Sequence, residues 1–195
     1  MNTFPLTSSQ TVGPFFSPTL LREDALRHVL TTPETVGERI RIEGRVLDGD
    51  GVPVPDALVE IWQANTHGRY NHPTDTGPAA LDPSFLGYGR SGTDEDGSYW
   101  FETIKPGMVP FDSERQQLQA PHIGVTVFAR GLLNHLVTRL YFEDVLANAG
   151  DPVLQCVPAE RRDTLLASRV TGGAMVVYRF DIILQGVGET AFFNL

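Results

Sequence analysis

Alternating apolar and polar residues mark several short strands along the chain. In the segment that starts at Arg39, the side chains of Ile40, Ile42 and Val46 fall on one face and charged side chains on the other. A period of two is typical of a strand with one buried face. Clusters of β-branched and aromatic residues between Gly, Pro and Asp turns predict further strands at 57–63, 98–103, 123–130, 136–142 and 176–184. This pattern predicts an all-β protein, an antiparallel β-sandwich or barrel.

Turn and loop signals divide these strands. Residues 48–51, Asp-Gly-Asp-Gly, predict a turn after the first strand, and residues 93–97 predict a hairpin turn before the strand at 98–103. The stretch 65–92 is long and loop-like, and loops of that length inside a compact domain are usually functional or face a partner.

The N-terminal residues differ from the rest of the chain. Two prolines and the pair Phe15–Phe16 predict an extended arm that docks onto another surface. Residues 20–30 predict a short helix, and residues 158–168 form the second helix candidate. We therefore expect two parts: an N-terminal arm with a short helix at 1–38, which contacts a partner or a pocket, and a β-sandwich domain at 39–195.

Composition narrows the classes of function. The chain has 195 residues with 15 basic and 24 acidic side chains, a formal net charge of −9. Such acidity argues against general nucleic-acid binding, which needs clustered positive charge. No apolar run approaches the roughly 20 residues needed to span a bilayer, and the start of the chain does not resemble a secretory signal, so a cytoplasmic location is expected. The single cysteine, Cys156, excludes an intrachain disulfide.

The most informative stretch is 44–70, which reads GRVLDGDGVPVPDALVEIWQANTHGRY. It closely resembles the sequence signature of the intradiol ring-cleaving dioxygenases, and the likeness continues at 87–90, 93–97, 103–107, 121–123, 138–142 and 178–182. The resemblance covers most of the chain. It implies a β-sandwich of the intradiol dioxygenase type, and an activity in which a non-haem ferric ion and O2 split catechols between their two hydroxylated carbons.

The resemblance also implies a ligand set, which this chain only half retains. In the family, two tyrosinates and two histidines hold Fe(III), because hard anionic phenolates stabilise that oxidation state. Tyr70 and His122 match one ligand of each kind. Val109 and Gly124 stand where the second tyrosine and the second histidine belong, and Gln119 stands where a family arginine steadies the bound ring. Two ligands are too few for a tight ferric site, so Tyr70 and His122 are expected to be vestigial and the chain to hold no metal.

This combination resembles the iron-free chain of family members that are built from two related sandwiches, of which only one holds iron. The likeness implies a homologous iron-bearing partner, with protocatechuate and O2 as substrates in aromatic catabolism. It further implies that Arg130, Gly13 and Pro14 contribute to the partner's substrate pocket, with Arg130 facing the substrate carboxylate. The ordinary alternative for Arg130 is a structural ion pair at the end of a strand.

Two other functions remain open from the sequence. One is a self-sufficient catechol-type dioxygenase, against which Val109 and Gly124 argue. The other is a transthyretin-like binding domain without enzymatic activity, for which no iron-binding partner would be expected.

Overall fold

The computed structural model describes residues 13–112, 117–170, 172–173 and 175–194. Strands dominate, and the helices are short. The strands are β1 Arg39–Leu47, β2 Leu58–Trp62, β3 Tyr88–Gly92, β4 Ser98–Ile104, β5 Val109–Asp112, β6 Gln117–Gln119, β7 His122–Phe128, β8 Leu136–Phe142, β9 Leu166–Val170, β10 Val176–Arg179 and β11 Ile182–Ile183. The helices are α1 Phe16–Leu20 and 3₁₀ helices at Gly13–Phe15, Glu23–Ala25, Leu146–Gly150, Leu154–Cys156 and Ala159–Leu165. The prediction of an all-β fold with few short helices is confirmed.

The sheet is mixed and not purely antiparallel, which corrects the sequence prediction. Its strand order is β11-β1-β10-β9-β8-β7-β2-β3, with β4 also paired to β1, and β5 and β6 form a separate ribbon. The strand β1 runs parallel to β10 and β11, and β8 runs parallel to β9. Parallel neighbours need a long crossover between them. Residues 143–165, with their short 3₁₀ helices, provide that crossover between β8 and β9.

Among the described residues, the larger of two buried apolar clusters joins the half of the sheet around β1 and β4 to the half around β2, β7 and β8. The buried positions of β1 alternate as predicted, and Ile40, Ile42 and Val46 are fully buried. They belong to the same apolar cluster as residues of β2, β4, β7 and β8, among them Val59, Ile61, Phe101, Ile123, Val125, Val127 and Leu140. Burying each such side chain contributes roughly 1.5–3 kcal/mol. The shared cluster holds β1 and β4 against β2, β7 and β8.

The turn at 93–97 is not a hairpin. Its backbone closes as a turn, because the N–H of Gly97 donates to the carbonyl of Asp94 at 2.9 Å. However, β3 before it pairs with β2, whereas β4 after it pairs with β1. The turn therefore carries the chain from one half of the sheet to the other.

The helix expected at 20–30 does not form as one element. Helix α1 ends at Leu20, and the residues after the following 3₁₀ turn are extended. Arg27 exchanges two backbone hydrogen bonds with Arg90 of β3, at 2.8 and 2.9 Å, and the N–H of Leu30 donates to the carbonyl of Glu102 of β4 at 2.9 Å. Pairing with these two strands overrides the local helical pattern.

The second helix candidate, 158–168, is also shorter than expected. A 3₁₀ helix covers Ala159–Leu165, and β9 begins directly afterwards at Leu166. Strand pairing with β8 and β10 ends the helical segment there. Among the described residues, no helix is both long and apolar enough to cross a bilayer. The cytoplasmic location stays a prediction.

Candidate functional site

Two of the family's four ligand positions, His122 and Gly124, lie on one face of β7, which pairs with β2 and β8. In the strand register, Gly124 lies directly opposite both Trp62 of β2 and Arg139 of β8. Two residues earlier on β7, His122 lies opposite Tyr141. Since residues two apart on a strand point to the same face, these five positions share one surface.

Tyr70 approaches this surface from the loop that follows β2. Its ring stacks on Trp62, with centroids 5.8 Å apart and planes 14° apart. The backbone N–H of Tyr70 donates to Asp75 Oδ2 at 2.8 Å, which fixes the loop locally. Burial raises the pKa of the Tyr70 phenol, the Arg139 guanidinium opposes that rise, and the Asp75 carboxylate adds to it. The side chain is therefore a neutral phenol at neutral pH.

His122 is buried and makes a local hydrogen bond. Its Nδ1 lies 2.7 Å from the carbonyl oxygen of Ala120, so Nδ1 carries the proton that is donated. The ring packs near Tyr141, with centroids 5.7 Å apart. Burial, helped by the positive charge of Arg139, lowers the pKa of His122 to about 4. The imidazole is consequently neutral at neutral pH.

Arg139 is the functional-site residue that the sequence analysis did not single out. Its Nη1 donates to Gln119 Oε1 at 2.6 Å and lies 3.5 Å from the Tyr141 hydroxyl. Gln119 is held in turn, because its Nε2 donates to the carbonyl of Pro110 at 3.1 Å. The signal that could have found Arg139 is its register opposite Gly124, which depends on strand pairing.

A buried carboxylate completes the network. Asp151 is fully buried, and its Oδ1 accepts a hydrogen bond from the Tyr141 hydroxyl at 3.0 Å. Burial raises the pKa of Tyr141, so its hydroxyl keeps its proton. The other bonds to the carboxylate come from backbone N–H groups of Ala120, Val153 and Leu154, at 2.7–2.9 Å. A buried carboxylate with this many donors is well satisfied.

The four positions Tyr70, Val109, His122 and Gly124, called the degenerate site below, do not fit a ferric ion. Val109 is 4% exposed and has no donor atom, and Gly124 has no side chain. Two ligands leave a transition-metal site far from complete. Across the described part of the chain, no group of three or more His, Cys, Asp or Glu could hold a metal ion.

Arg130, predicted to bind substrate, lies just beyond β7 in an ion pair with Asp56. The Nη2 of Arg130 is 2.9 Å from Asp56 Oδ2, and its Nε donates to Asp56 Oδ1 at 3.2 Å. The ion pair that was the ordinary alternative is therefore present. It uses one edge of the guanidinium, and the Arg130 side chain remains 56% exposed. Because a guanidinium has five N–H donors, three remain for another acceptor.

Gly13 and Pro14 lie in the 3₁₀ helix Gly13–Phe15 that precedes α1. Gly13 has φ +63°, a conformation that favours glycine. The neighbouring α1 packs beside the β7–β8 loop, where a groove of about 220 Å³ is lined by Phe16, Leu20, Phe128, Ala129, Leu132, Leu133, Asn134 and His135. The arm and the loop that carries Arg130 therefore meet at one end of β7.

The predicted site residues form two groups that the structure keeps apart. His122 is the first residue of β7, and Arg130 follows two residues after its last. At about 3.3 Å per residue, those eight steps span roughly 25 Å. Arg130, Gly13 and Pro14 consequently lie at the opposite end of β7 from the degenerate site of their own chain.

Comparison with known proteins agrees with this geometry. The model of the family described as "Dioxygenase" matches residues 11–186. The protocatechuate 3,4-dioxygenase alpha chain of Burkholderia cepacia is 43% identical over 210 residues, covering 100% of both chains. The beta chain of the same enzyme from that organism is 39% identical over 190 residues, covering 95% of this chain and 78% of the relative.

A solved structure shows the same fold. The dioxygenase domain of a dioxygenase carbohydrate-binding protein fusion from Streptomyces sp. SirexAA-E superposes with a TM-score of 0.63 at 29% identity, covering 95% of this chain and 99% of that one. This structural similarity agrees with the family match, which covers residues 11–186. The chain belongs to the intradiol ring-cleaving dioxygenase family.

Proposed function

We propose that this chain is the iron-free alpha subunit of a protocatechuate 3,4-dioxygenase and folds as a two-layered β-sandwich. The observation that carries the proposal is the degenerate site, in which Val109 and Gly124 replace two ligands, in a chain that matches an alpha chain over its full length. Two groups of strands around one apolar cluster support the sandwich. An iron-bearing homologue of the beta-chain type supplies the missing metal centre.

In the proposed enzyme, both atoms of O2 enter protocatechuate, and the ring opens to 3-carboxy-cis,cis-muconate. The partner's Fe(III) would supply the Lewis acid for this reaction. The chain described here contributes no metal ligand. Its part is to bind and orient the substrate at the subunit contact.

Arg130 is the residue proposed to recognise the substrate carboxylate. Substrate and protein are both negatively charged, so productive binding needs a local cation. Asp56 holds the Nε edge of the Arg130 guanidinium through two contacts. The opposite edge remains for a paired contact with a carboxylate, the geometry that guanidinium favours. Asp56 thus acts as a positioning residue for Arg130.

Gly13 and Pro14 are proposed to shape the wall of the same pocket. Pro14 is exposed, and the arm lies at the end of β7 that also carries Arg130. A glycine with positive φ lets the backbone turn closely past a ligand. We also propose that residues 1–38, of which 1–12 lie outside the described residues, form the partner-contacting arm and residues 39–195 the sandwich domain. Within this arm, Arg27, His28 and Leu30 are nevertheless hydrogen-bonded to β3 and β4.

Co-expression with a homologous beta chain tests the proposal. We expect a stable complex with one iron per alpha–beta pair and protocatechuate-dependent O2 uptake, and neither iron nor activity in the alpha chain alone. Iron and activity in the isolated chain would favour the self-sufficient catechol dioxygenase instead. Failure to form any complex would favour the non-enzymatic binding domain.

A further inference from the structure

Arg139 stands where a second histidine ligand would need room. Its Cα lies directly opposite that of Gly124 in the β7–β8 register. Directly opposed residues on one face have Cβ atoms about 4.5–5.5 Å apart. A histidine side chain at position 124 would therefore stand beside the arginine side chain. On the backbone side, a Cβ at Gly124 would lie 3.3 Å from the Trp62 carbonyl oxygen, a tight contact that requires a small shift of the strand.

Arg139 lies among the neighbours of both surviving ligand residues. The ring of His122 packs near that of Tyr141, whose hydroxyl is 3.5 Å from Arg139 Nη1. The ring of Tyr70 stacks on Trp62, which lies opposite Gly124 on the other side of β7 from Arg139. The guanidinium is therefore positioned between the places of the lost and the retained ligands.

The guanidinium is also anchored. Arg139 Nη1 donates a hydrogen bond of 2.6 Å to Gln119 Oε1. Gln119 occupies the position at which the family carries an arginine. On the other side, the Tyr141 hydroxyl links the guanidinium to the buried carboxylate of Asp151 through contacts of 3.5 and 3.0 Å. The positive charge thus sits in a built polar network and comes from β8, whereas in the family it comes from position 119.

We propose that the guanidinium of Arg139 has replaced the iron: a fixed organic cation, held by Gln119 and Tyr141, occupies the centre of the degenerate site and excludes metal ions. On this proposal, two changes abolish metal binding: the loss of two ligands and the presence of the Arg139 guanidinium. Restoring the two ligands alone therefore does not restore metal binding. This inference rests on membership of the family and holds whether or not the chain has a partner.

The test restores the ligands with and without the arginine. A two-ligand variant carries Val109→Tyr and Gly124→His. A swap variant adds Gln119→Arg and Arg139→Gln, which keeps the net charge and a hydrogen bond between the two side chains but moves the cation. Each full chain is purified alone, loaded with ferrous iron in air, and assayed for iron per chain and for the visible absorption band of iron-bound tyrosinate.

We expect less than about 0.1 iron per chain in the two-ligand variant, and close to one iron with a visible band in the swap variant. Equal iron binding by both variants would overturn the proposal, and so would its absence from both when circular dichroism shows that both fold. As a control, adding Arg179→Gln to the two-ligand variant removes a positive charge from the other half of the sheet. It should not restore iron.

A smaller change decides the matter if the Val109→Tyr variants do not fold. Gly124→His alone creates a His-x-His pair on β7, which is compared with Gly124→His combined with Arg139→Gln. With Zn²⁺ as the probe, we expect removal of the guanidinium to tighten binding at least tenfold, and His122→Asn to abolish the gain. Equal Zn²⁺ affinities in the two variants would overturn the proposal.

Discussion

At the scale of single residues, burial fixes the protonation state of His122. Its pKa is lowered from 6.5 to about 4, mainly by burial. Between these two pH values the unfolded chain binds a proton at this residue that the folded chain does not, so stability rises with pH across this range. The stabilising contribution is present above pH 6.5 and is lost as the pH falls toward 4.

The first prediction concerns this dependence of stability on pH. On acidification from pH 6.5 to 4, protonation of His122 should lower the free energy of unfolding by on the order of 3 kcal/mol. His122→Asn keeps a donor for the Ala120 carbonyl and should remove this slope. Urea unfolding at several pH values measures the effect, with exposed His135→Asn as the control. An unchanged slope in His122→Asn would contradict the prediction.

The second prediction concerns Arg130 in the assembled complex. Arg130→Ala should lower kcat/KM for protocatechuate roughly tenfold to a hundredfold more than for catechol, which lacks the carboxylate, because a charged hydrogen bond contributes about 1.5–3 kcal/mol. Arg130→Lys should recover part of the loss, and iron content should not change. Asp56→Asn should give a smaller loss of the same kind.

Two other outcomes would count against Arg130 as the carboxylate contact. If both substrates suffer equally in an intact complex, the residue does not recognise the carboxylate. If the complex dissociates, the ion pair with Asp56 is structural and its role is in assembly.

The degenerate site was only partly predictable at this scale. The loss of two ligands is visible in the sequence, because neither Val109 nor Gly124 has a side chain that can bind a metal ion. The role of Arg139 could not be predicted in this way, because it depends on the position of Arg139 opposite Gly124 across the paired strands β7 and β8. The Arg130–Asp56 pair joins residues 74 positions apart, which no local pattern reveals.

At the scale of elements, the pairing of β1 depends on a close backbone approach at Gly44. A Cβ there would lie 1.8 Å from the carbonyl oxygen of Phe180, in the bend between β10 and β11. This bend is held by the backbone bond from the Phe180 N–H to the Glu43 carbonyl, at 2.9 Å. Only glycine allows the two backbones to approach so closely.

The third prediction is that Gly44→Ala destabilises the fold by at least about 3 kcal/mol, because the backbone must shift to relieve the overlap. Chemical unfolding of the purified chain measures the difference. Gly150→Ala is the matched control, since a Cβ there meets nothing within 4 Å. Similar free energies of unfolding for the two variants would contradict the prediction, since β1 and the bend at Phe180 would then accommodate a Cβ without loss of stability.

Strand positions were predictable from alternation, but strand partners were not. The pattern around Ile40 and Ile42 gives β1 correctly, whereas the turn at 93–97 gives no sign that its flanking strands pair elsewhere. Residues 20–30 show the same limit. Their helical pattern depends on residues close together in the sequence. The hydrogen bonds of Arg27 and Leu30 join them to β3 and β4, which lie more than 60 positions further along the chain.

At the scale of the whole molecule, two exposed apolar side chains lie where the arm meets the β7–β8 loop. Phe15 is 70% exposed and Leu133 is 62% exposed, beside the groove lined by Phe16 and Leu132. Exposed apolar patches of this kind mark association surfaces. This patch lies at the same end of β7 as Arg130, where the proposed function places the partner.

The fourth prediction is that the isolated chain self-associates at micromolar concentrations, and that Phe15→Ser combined with Leu133→Ser reduces this association severalfold. Sedimentation velocity measures it. The matched control is Leu146→Ser with Val187→Ser, two side chains that are 95% and 100% exposed and lie outside both the arm and the β7–β8 loop. An equal reduction by the control pair would assign the association to another surface.

The distance between the two ends of β7 has a consequence for protein engineering. Changes more than about 10 Å apart with no shared contacts usually have additive effects, and here the separation along the strand is roughly 25 Å. Variants made around Tyr70, His122 and Arg139 should therefore leave substrate selectivity at the other end intact. An assembled enzyme could then host an artificial cofactor in this chain while its natural centre keeps working, two independent catalysts in one pair of subunits.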